Sequence, residues 1–165
     1  MAVERQWSDP EELARRYGPA VFRLAYARTG SRTDAEDVMQ EVFLRLLRAR
    51  PTFSGEEHAK AWLLRVAANC ANDLFRAPWR KREEPLTEGL SAPAEPERGG
   101  VVEAVLALPP KYRAAVHLYY YEELSVEEIA EILGKRPGTI KSRLYRARTQ
   151  MRRYLMEEEQ DAQRL

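Results

Sequence analysis

Apolar residues in the segment 125–155 recur at spacings of three and four, which is the period of an α-helix that buries one face. Ser125 and Glu128 form a capping-box pattern, which predicts a helix start, and Gly134 predicts the end of that helix. A second apolar stripe follows a predicted break at 137–138. The segment is therefore predicted to fold as two helices joined by a short turn, a helix-turn-helix.

The same period predicts three helices in the N-terminal half of the chain. The first runs roughly over 10–28, the second starts with a capping box of Thr33 and Glu36, and the third starts with the pattern Ser54 to Glu57. A proline ends each of the last two helices. The stripes of these two helices are wide enough to share one core and consist of Ala35, Val38, Met39, Val42, Phe43, Leu46, Leu47, Trp62, Leu63, Val66, Ala67, Cys70 and Leu74.

Between the two halves, prolines, glycines and glutamates interrupt every helical period, which predicts a flexible linker over 83–100. No strand-like alternation occurs on either side of it. The predicted fold class is therefore all-α, with two small helical domains. We predict a bundle of three to four helices over 8–82, a helix-turn-helix domain over 101–156 and an acidic tail over 157–165.

The composition is that of a globular protein, because 44% of the 165 residues are apolar and 32% are charged. The first residues are polar, and no apolar run approaches the roughly 18 residues that a membrane-spanning helix needs. These features predict a cytoplasmic protein without membrane insertion. The single cysteine, Cys70, excludes an internal disulfide and shares a helical face with Val66 and Leu74, which predicts a buried thiol.

Positive charge is concentrated around the second helix of the predicted helix-turn-helix. The formal net charge of the chain is only +1, yet no acidic residue occurs over 135–156. Such a patch neutralises phosphates, and a helix of this length fits the major groove of duplex DNA. A solvated basic face is the alternative, but its coincidence with a helix-turn-helix favours DNA contact. The basic residues are Lys135, Arg136, Lys141, Arg143, Arg146, Arg148, Arg152 and Arg153.

Two polar faces accompany the predicted N-terminal core. The second helix carries a mainly acidic face, which solubility and the helix dipole alone would also explain; its residues are Asp34, Asp37, Gln40 and Glu41. The third helix carries a face rich in Arg and Asn, side chains that hydrogen-bond base edges; its residues are Arg65, Asn69, Asn72, Asp73 and Arg76. Nearby aromatic residues either stack on unpaired bases or belong to the core, namely Trp62, Phe75 and Trp79.

Three motifs in this order resemble the extracytoplasmic-function sigma factors, a group in the sigma-70 family of bacterial RNA polymerase. They are DAEDVMQEVFLRLL over 34–47, AWLLRVAANCANDLFR over 61–76 and, over 108–148, LPPKYRAAVHLYYYEELSVEEIAEILGKRPGTIKSRLYRAR. The resemblance covers almost the whole chain. It implies a protein that binds core polymerase and directs promoter-specific initiation, and that is held inactive by an anti-sigma factor.

The resemblance also implies a role for each polar face. The acidic helix is expected to dock on the clamp helices of the polymerase largest subunit through Asp34, Asp37, Gln40, Glu41 and Arg45. The third helix is expected to capture the non-template strand of the promoter −10 element through Arg65, Asn69, Asp73 and Arg76. The helix-turn-helix is expected to read the −35 duplex through Lys141, Ser142, Tyr145 and Arg146, with phosphate or flanking contacts from Lys135, Arg136, Thr139, Arg143 and Arg148.

Two other classes of function are alternatives to this interpretation. An enzyme has little support, because the only histidines, His58 and His117, lie in different predicted domains without a metal-site or triad pattern. No phosphate-binding glycine loop occurs either, so no catalytic residue, metal or cofactor is predicted. A stand-alone helix-turn-helix regulator is the other alternative, since it would use the same C-terminal domain.

Overall fold

A computed structural model describes residues 9–76 and 100–164, and within these ranges all regular secondary structure is helical. The chain divides into two compact units, residues 1–93 and 94–165. This confirms the predicted all-α class with two small helical domains. The predicted linker lies outside the described residues except for Gly100, which begins a helix.

Three helices build the described part of the N-terminal unit: α1 over Pro10–Thr29, α2 over Arg32–Ala49 and α3 over Glu56–Arg76. Each packs against the other two, because their apolar stripes meet in one core. Its most deeply buried large side chains are Leu13, Val21, Leu24, Val38, Leu46, Leu63, Leu64 and Leu74. The predicted bundle of three to four helices has three of them among the described residues.

The start of α2 differs from the predicted capping box of Thr33 and Glu36. Ser31 is the N-cap, in an extended conformation, and its hydroxyl accepts a hydrogen bond from the backbone N–H of Asp34 at 3.2 Å. Thr33 already lies within the first helical turn. Both positions carry a hydroxyl group, so side-chain chemistry alone did not distinguish them, and the prediction was wrong by two residues.

The start of α3 also uses a different partner from the predicted one. The backbone N–H of Ser54 donates to Nδ1 of His58 at 3.0 Å, so His58 takes the place expected for Glu57. The His58 ring also packs edge-on against Phe53, with ring centroids 5.2 Å apart. Phe53 in turn meets the ring of Trp62 at 5.8 Å, and Trp62 is half-buried in this aromatic cluster.

Four helices build the described part of the C-terminal unit: α4 over Gly100–Leu106, α5 over Pro110–Val116, α6 over Val126–Leu133 and α7 over Pro137–Arg164. A single π-helical turn, His117–Tyr121, extends α5. The long helix α7 packs against each of the three shorter helices. The core of this unit includes Leu118, Ile129, Ile140, Leu144 and Ala147, together with Ala104 and Ala115.

The helix-turn-helix, formed by α6 and α7, has the predicted start signals but a different turn. Ser125 and Glu128 exchange both capping-box hydrogen bonds at 3.1 Å, and Gly134 ends α6 with a φ of 66°. Pro137 does not break the chain but is the first residue of α7. Proline is favoured at a first helical position, where its missing N–H costs nothing. The turn is therefore shorter than predicted.

The C-terminal helix continues through the segment predicted as an acidic tail, as far as Arg164. The part of this helix around Leu155 and Glu158 lies beside Gly100, the first residue of α4. A β-carbon placed on Gly100 would be 3.4 Å from a Glu158 carboxylate oxygen and 3.6 Å from the Leu155 side chain. The acidic residues here thus continue a helix that contacts α4. No helix among the described residues has the length and hydropathy of a membrane span.

Candidate nucleic-acid interface

The outward side of α7 is set by the residues that this helix buries. Because Ile140, Leu144 and Ala147 point into the core, the opposite side of α7 faces outward. The exposed residues form two parallel rows, Lys141, Tyr145, Arg148 and Arg152 in one and Ser142, Arg146, Thr149 and Arg153 in the other. This face combines positive charge with hydroxyl groups, which suits both phosphates and base edges.

The structure brings the residues predicted to contact duplex DNA together at the N-terminal half of α7 and the turn before it. Most of them are exposed: Lys135, Arg136, Lys141, Ser142, Tyr145, Arg146 and Arg148. Thr139 and Arg143 are half-buried, and burial lowers the pKa of the Arg143 guanidinium. The Tyr145 ring is 70% exposed. An aromatic ring left in water beside cations is well placed to contact a base.

Tyr112 on α5 flanks one edge of this face. The residue is buried, and its interaction with the Arg146 guanidinium lowers the pKa of the phenol, as do the nearby charges of Lys111 and Arg143. The Arg146 guanidinium therefore lies close to a residue of a neighbouring helix. Tyr112 is not predicted from the sequence, because its spacing carries no information about which helix it contacts.

Tyr119 and Tyr120 flank the other edge of the face. Nε of Arg148 donates to the Tyr120 hydroxyl at 2.6 Å, and the Arg148 guanidinium lies 5.8 Å and 5.9 Å from the centres of the two tyrosine rings. The rings pack edge to face at 4.9 Å. The sequence shows the tyrosine run over 119–121, but no local pattern predicts its contact with Arg148.

In the N-terminal unit, α2 presents the predicted acidic face. Its residues Asp34, Asp37, Gln40, Glu41 and Arg45 are all half-buried. Nε of Arg45 donates to the Glu41 carboxylate at 3.1 Å, and this bond raises the pKa of Arg45. Burial, followed by the charges of Asp34 and Glu36, raises the pKa of the Asp37 carboxyl.

Two leucines extend this acidic face with apolar surface. Leu44 is 45% exposed and Leu47 is 53% exposed. Leu47 was predicted to be buried, and that prediction was wrong. The apolar stripe of α2 is wider than the surface that α1 and α3 cover, so its edge remains in solvent.

The polar face of α3 is partly as predicted. Arg65, Asn69 and Asp73 are exposed and follow one another at intervals of four residues, which places them in one row. Asn72 instead points toward α1, where its Oδ1 accepts a hydrogen bond from Nε of Arg28 at 3.3 Å. The remaining candidates lie outside the described side chains or residues, namely Phe75, Arg76 and Trp79.

Cys70 lies behind this row and is buried, as predicted. Burial raises the pKa of its thiol to about 11, so the thiol stays protonated at neutral pH. Among the described residues there is no group of three or more His, Cys, Asp or Glu side chains able to hold a metal ion.

Comparison with known families matches both units. The model of Sigma-70 region 2 matches residues 13–81, and a model of Sigma-70, region 4 matches residues 98–151. Together they cover most of α1, all of α2 and α3, and the helix-turn-helix up to the middle of α7.

Three relatives illustrate the similarity across most of the chain. ECF RNA polymerase sigma factor SigE of Mycolicibacterium smegmatis is 40% identical over 157 residues, which span 88% of this chain and 61% of that protein. ECF RNA polymerase sigma factor SigW of Bacillus subtilis is 32% identical, with 84% of each chain covered. The RNA polymerase sigma-E factor of Streptomyces coelicolor is 34% identical, with 94% of this chain and 90% of the relative covered.

Two solved structures share the fold. The sigma factor RpoE from Bartonella quintana, in complex with the anti-sigma factor NepR, has a TM-score of 0.68 at 22% identity, covering 88% of this chain and 96% of its own. CnrH, in complex with the cytosolic domain of CnrY, has a TM-score of 0.64 at 23% identity, covering 94% and 96% respectively.

Proposed function

We propose how this chain, a promoter-directing sigma factor, recognises promoter DNA. The chain belongs to the extracytoplasmic-function group of the sigma-70 family. The observation that carries the proposal is the outward face of α7. This face places exposed cationic and hydroxyl side chains in two rows on a helix-turn-helix. Duplex DNA is the partner that this combination fits best.

In this proposal the N-terminal half of α7 enters the major groove at the −35 element. The side chains that would contact base edges there are Lys141, Ser142, Tyr145 and Arg146. The flanking cations and Thr139 would contact phosphates or neighbouring positions and so set the register on the duplex; they are Lys135, Arg136, Arg143 and Arg148. Tyr112 on α5 lies beside Arg146 at one edge of this face.

The exposed row on α3 would receive the non-template strand of the −10 element. Asn69 is the central member, with Arg65 and Asp73 one helical turn to either side. Arg76 is the fourth expected contact. Extruding a base from the stack costs a few kcal/mol, so a surface that hydrogen-bonds the extruded base also stabilises the opened duplex. Promoter opening would then need no catalytic group in this chain.

The acidic face of α2 would bind the polymerase clamp helices through Asp34, Asp37, Gln40, Glu41 and Arg45. Its carboxylates and the exposed leucines beside them together offer charge and apolar area to a basic partner helix. Polymerase provides the catalytic chemistry, and the chain acts with it in the cytoplasm. An anti-sigma factor is expected as a further partner, since one solved structure of the same fold is a sigma factor in complex with such a protein.

The proposal is tested by mixing the purified chain with core RNA polymerase and following complex formation by gel filtration. Transcripts made by the complex from fragmented genomic DNA of the host are then sequenced. We expect initiation at sites that share spaced −35 and −10 sequences, and we expect Lys141→Ala or Arg146→Ala to weaken initiation that depends on the −35 element. Folded protein that forms no complex with core polymerase, beside a control sigma factor that does, would favour a stand-alone DNA-binding regulator.

A further inference from the structure

The cluster of Tyr119, Tyr120 and Arg148 joins two separate parts of the C-terminal unit. Arg148 belongs to the outward face of α7, whereas both tyrosines lie in the π-helical turn that extends α5. That turn is closed by a hydrogen bond from the Glu122 N–H to the His117 carbonyl at 3.2 Å. Single π-helical turns within helices are often found at functional sites.

The hydrogen bond in this cluster leaves donors available on both partners. Nε of Arg148 donates to the Tyr120 oxygen at 2.6 Å. A guanidinium group has five N–H donors, and a phenol that accepts one hydrogen bond still carries its own O–H proton. Guanidinium groups bind phosphates with two donors, and tyrosine hydroxyls also bind phosphates in DNA complexes. The cluster thus carries two kinds of phosphate donor side by side.

Exposure makes both donors accessible. Arg148 is exposed within the row that also contains Lys141 and Tyr145, and Tyr120 is 54% exposed. The two tyrosine rings on which the guanidinium packs restrict its position. An arginine that is already ordered loses less conformational entropy when it binds.

We propose that Tyr120 and Arg148 together form one phosphate-binding site for duplex DNA, in which the tyrosine hydroxyl and the guanidinium contact the same phosphate. This inference rests on the proposed function, because it takes the outward face of α7 to be the DNA-binding face. The inference adds Tyr120 to the DNA contacts expected from the sequence. It also implies that the contributions of Tyr120 and Arg148 to DNA affinity depend on each other.

The two side chains have different signatures in the salt dependence of binding. A cation that neutralises one phosphate contributes about 0.9 to the slope of log affinity against log salt concentration. A neutral hydroxyl contributes a hydrogen bond without changing that slope. Tyr120→Phe removes only the hydroxyl and keeps the ring, while Arg148→Ala removes the charge.

The experiment measures binding of the full chain to a fluorescent duplex of arbitrary sequence, by anisotropy, over a range of low salt concentrations. Tyr120→Phe, Arg148→Ala and the double variant are compared with the unaltered chain. Tyr121→Phe is the matched control, because Tyr121 is 61% exposed and its ring packs on His117, at 5.1 Å, on the same turn. Thermal unfolding followed by circular dichroism shows whether each variant is folded at the temperature of the binding measurement.

We expect Tyr120→Phe to weaken binding about threefold, which is the effect of one hydrogen bond, without changing the slope. Arg148→Ala should reduce the slope by about 0.9, and Tyr120→Phe should have little further effect in that background. The proposal is overturned if Tyr120→Phe binds like the unaltered chain, if its effect persists in full without Arg148, or if Tyr121→Phe matches it. A chain that binds no duplex at low salt would overturn it as well.

This measurement needs no polymerase, so its failure is distinguishable from failure of the proposed function. A chain that shows the expected coupling but forms no complex with core polymerase would keep the phosphate site and lose the sigma role. A chain that forms an active complex but shows no coupling would keep the role and lose the site.

Discussion

Asp37 carries a charge that the folded N-terminal unit does not favour. Burial, and then the charges of Asp34 and Glu36, raises the pKa of its carboxyl group above the ordinary value. The ionised carboxylate is therefore less favourable in the folded state than in the unfolded state, where it is solvated and farther from other charges. The cost disappears below both pKa values, because both states then bind the proton.

We therefore predict that Asp37→Asn raises the free energy of unfolding at neutral pH by roughly 0.5 kcal/mol, the scale of surface substitutions. The gain should fade as the pH falls to about 3, where the wild-type carboxyl is also protonated. Urea unfolding at the two pH values measures both effects. An equal gain at both would mean that the charge of Asp37 is not its cause. If the acidic face binds polymerase, the same variant should bind core polymerase less tightly.

Asn69 and Asn72 have the same chemistry and different surroundings on α3. Asn69 is exposed, whereas the amide oxygen of Asn72 accepts a hydrogen bond from Arg28. We predict that Asn69→Ala reduces promoter opening about tenfold or more, the scale of a lost base contact, and leaves polymerase binding intact. Permanganate reactivity of the −10 region measures opening, and gel filtration measures polymerase binding.

Asn72→Ala is the matched control for this experiment. Removing the Asn72 amide breaks the hydrogen bond to α1, which should lower the stability of the N-terminal unit by about 1 kcal/mol. Promoter opening should change little. If Asn69→Ala instead abolished binding to core polymerase, the assignment of the α2 and α3 faces to separate partners would be wrong.

At the scale of helices, Arg113 links α5 to the end of α4. Its Nη1 donates to the carbonyl oxygens of Leu106 at 3.0 Å and Leu108 at 3.3 Å, and the residue is only 9% exposed. The carbonyls at a helix C-terminus have no partners within the helix and carry negative partial charge, so a buried cation satisfies both needs.

Arg113→Met keeps most of the apolar stem and removes the donors. We predict that it lowers the free energy of unfolding by about 2 kcal/mol, since hydrogen bonds to charged groups contribute more than neutral ones. Chemical denaturation followed by circular dichroism measures the loss. Arg153→Met, an exposed position on α7, should change stability by less than about 0.5 kcal/mol. Equal effects at the two positions would contradict a capping role for Arg113.

Helix existence and helix limits were predictable to different degrees. The capping box of Ser125 and Glu128 was predicted because both partners are local in sequence. The start of α2 was not, because Ser31 and Thr33 lie two residues apart and offer similar hydroxyl groups. The position of Pro137 was also misjudged, since a proline is compatible with either a break or a first helical residue.

At the scale of the whole molecule, the proposed function gives each of the two units only a limited surface for DNA. Linking two modest binding modules raises the effective concentration of the second only when both can reach their targets together. In the proposed complex, polymerase provides that geometry. The net charge of +1 adds little general attraction for DNA beyond the basic face of α7.

The full chain alone is therefore predicted to bind promoter duplex no more tightly than about micromolar at physiological salt, the range of non-specific binding. Adding core polymerase should strengthen promoter binding by at least about a hundredfold through avidity. Anisotropy titrations of one labelled promoter, with and without polymerase, test both statements. Nanomolar, sequence-specific binding by the isolated chain would contradict them.

Local patterns in the sequence were enough to predict the helical class, the two-unit organisation, the buried Cys70 and the outward residues of α7, because helical period and capping depend on neighbours in the chain. Only the tertiary structure decided which of these residues have partners. Tyr112 meets Arg146, Tyr120 meets Arg148 and Asn72 meets Arg28 across separate helices. These contacts depend on how helices pack against one another, which the periodicity of any single helix does not encode.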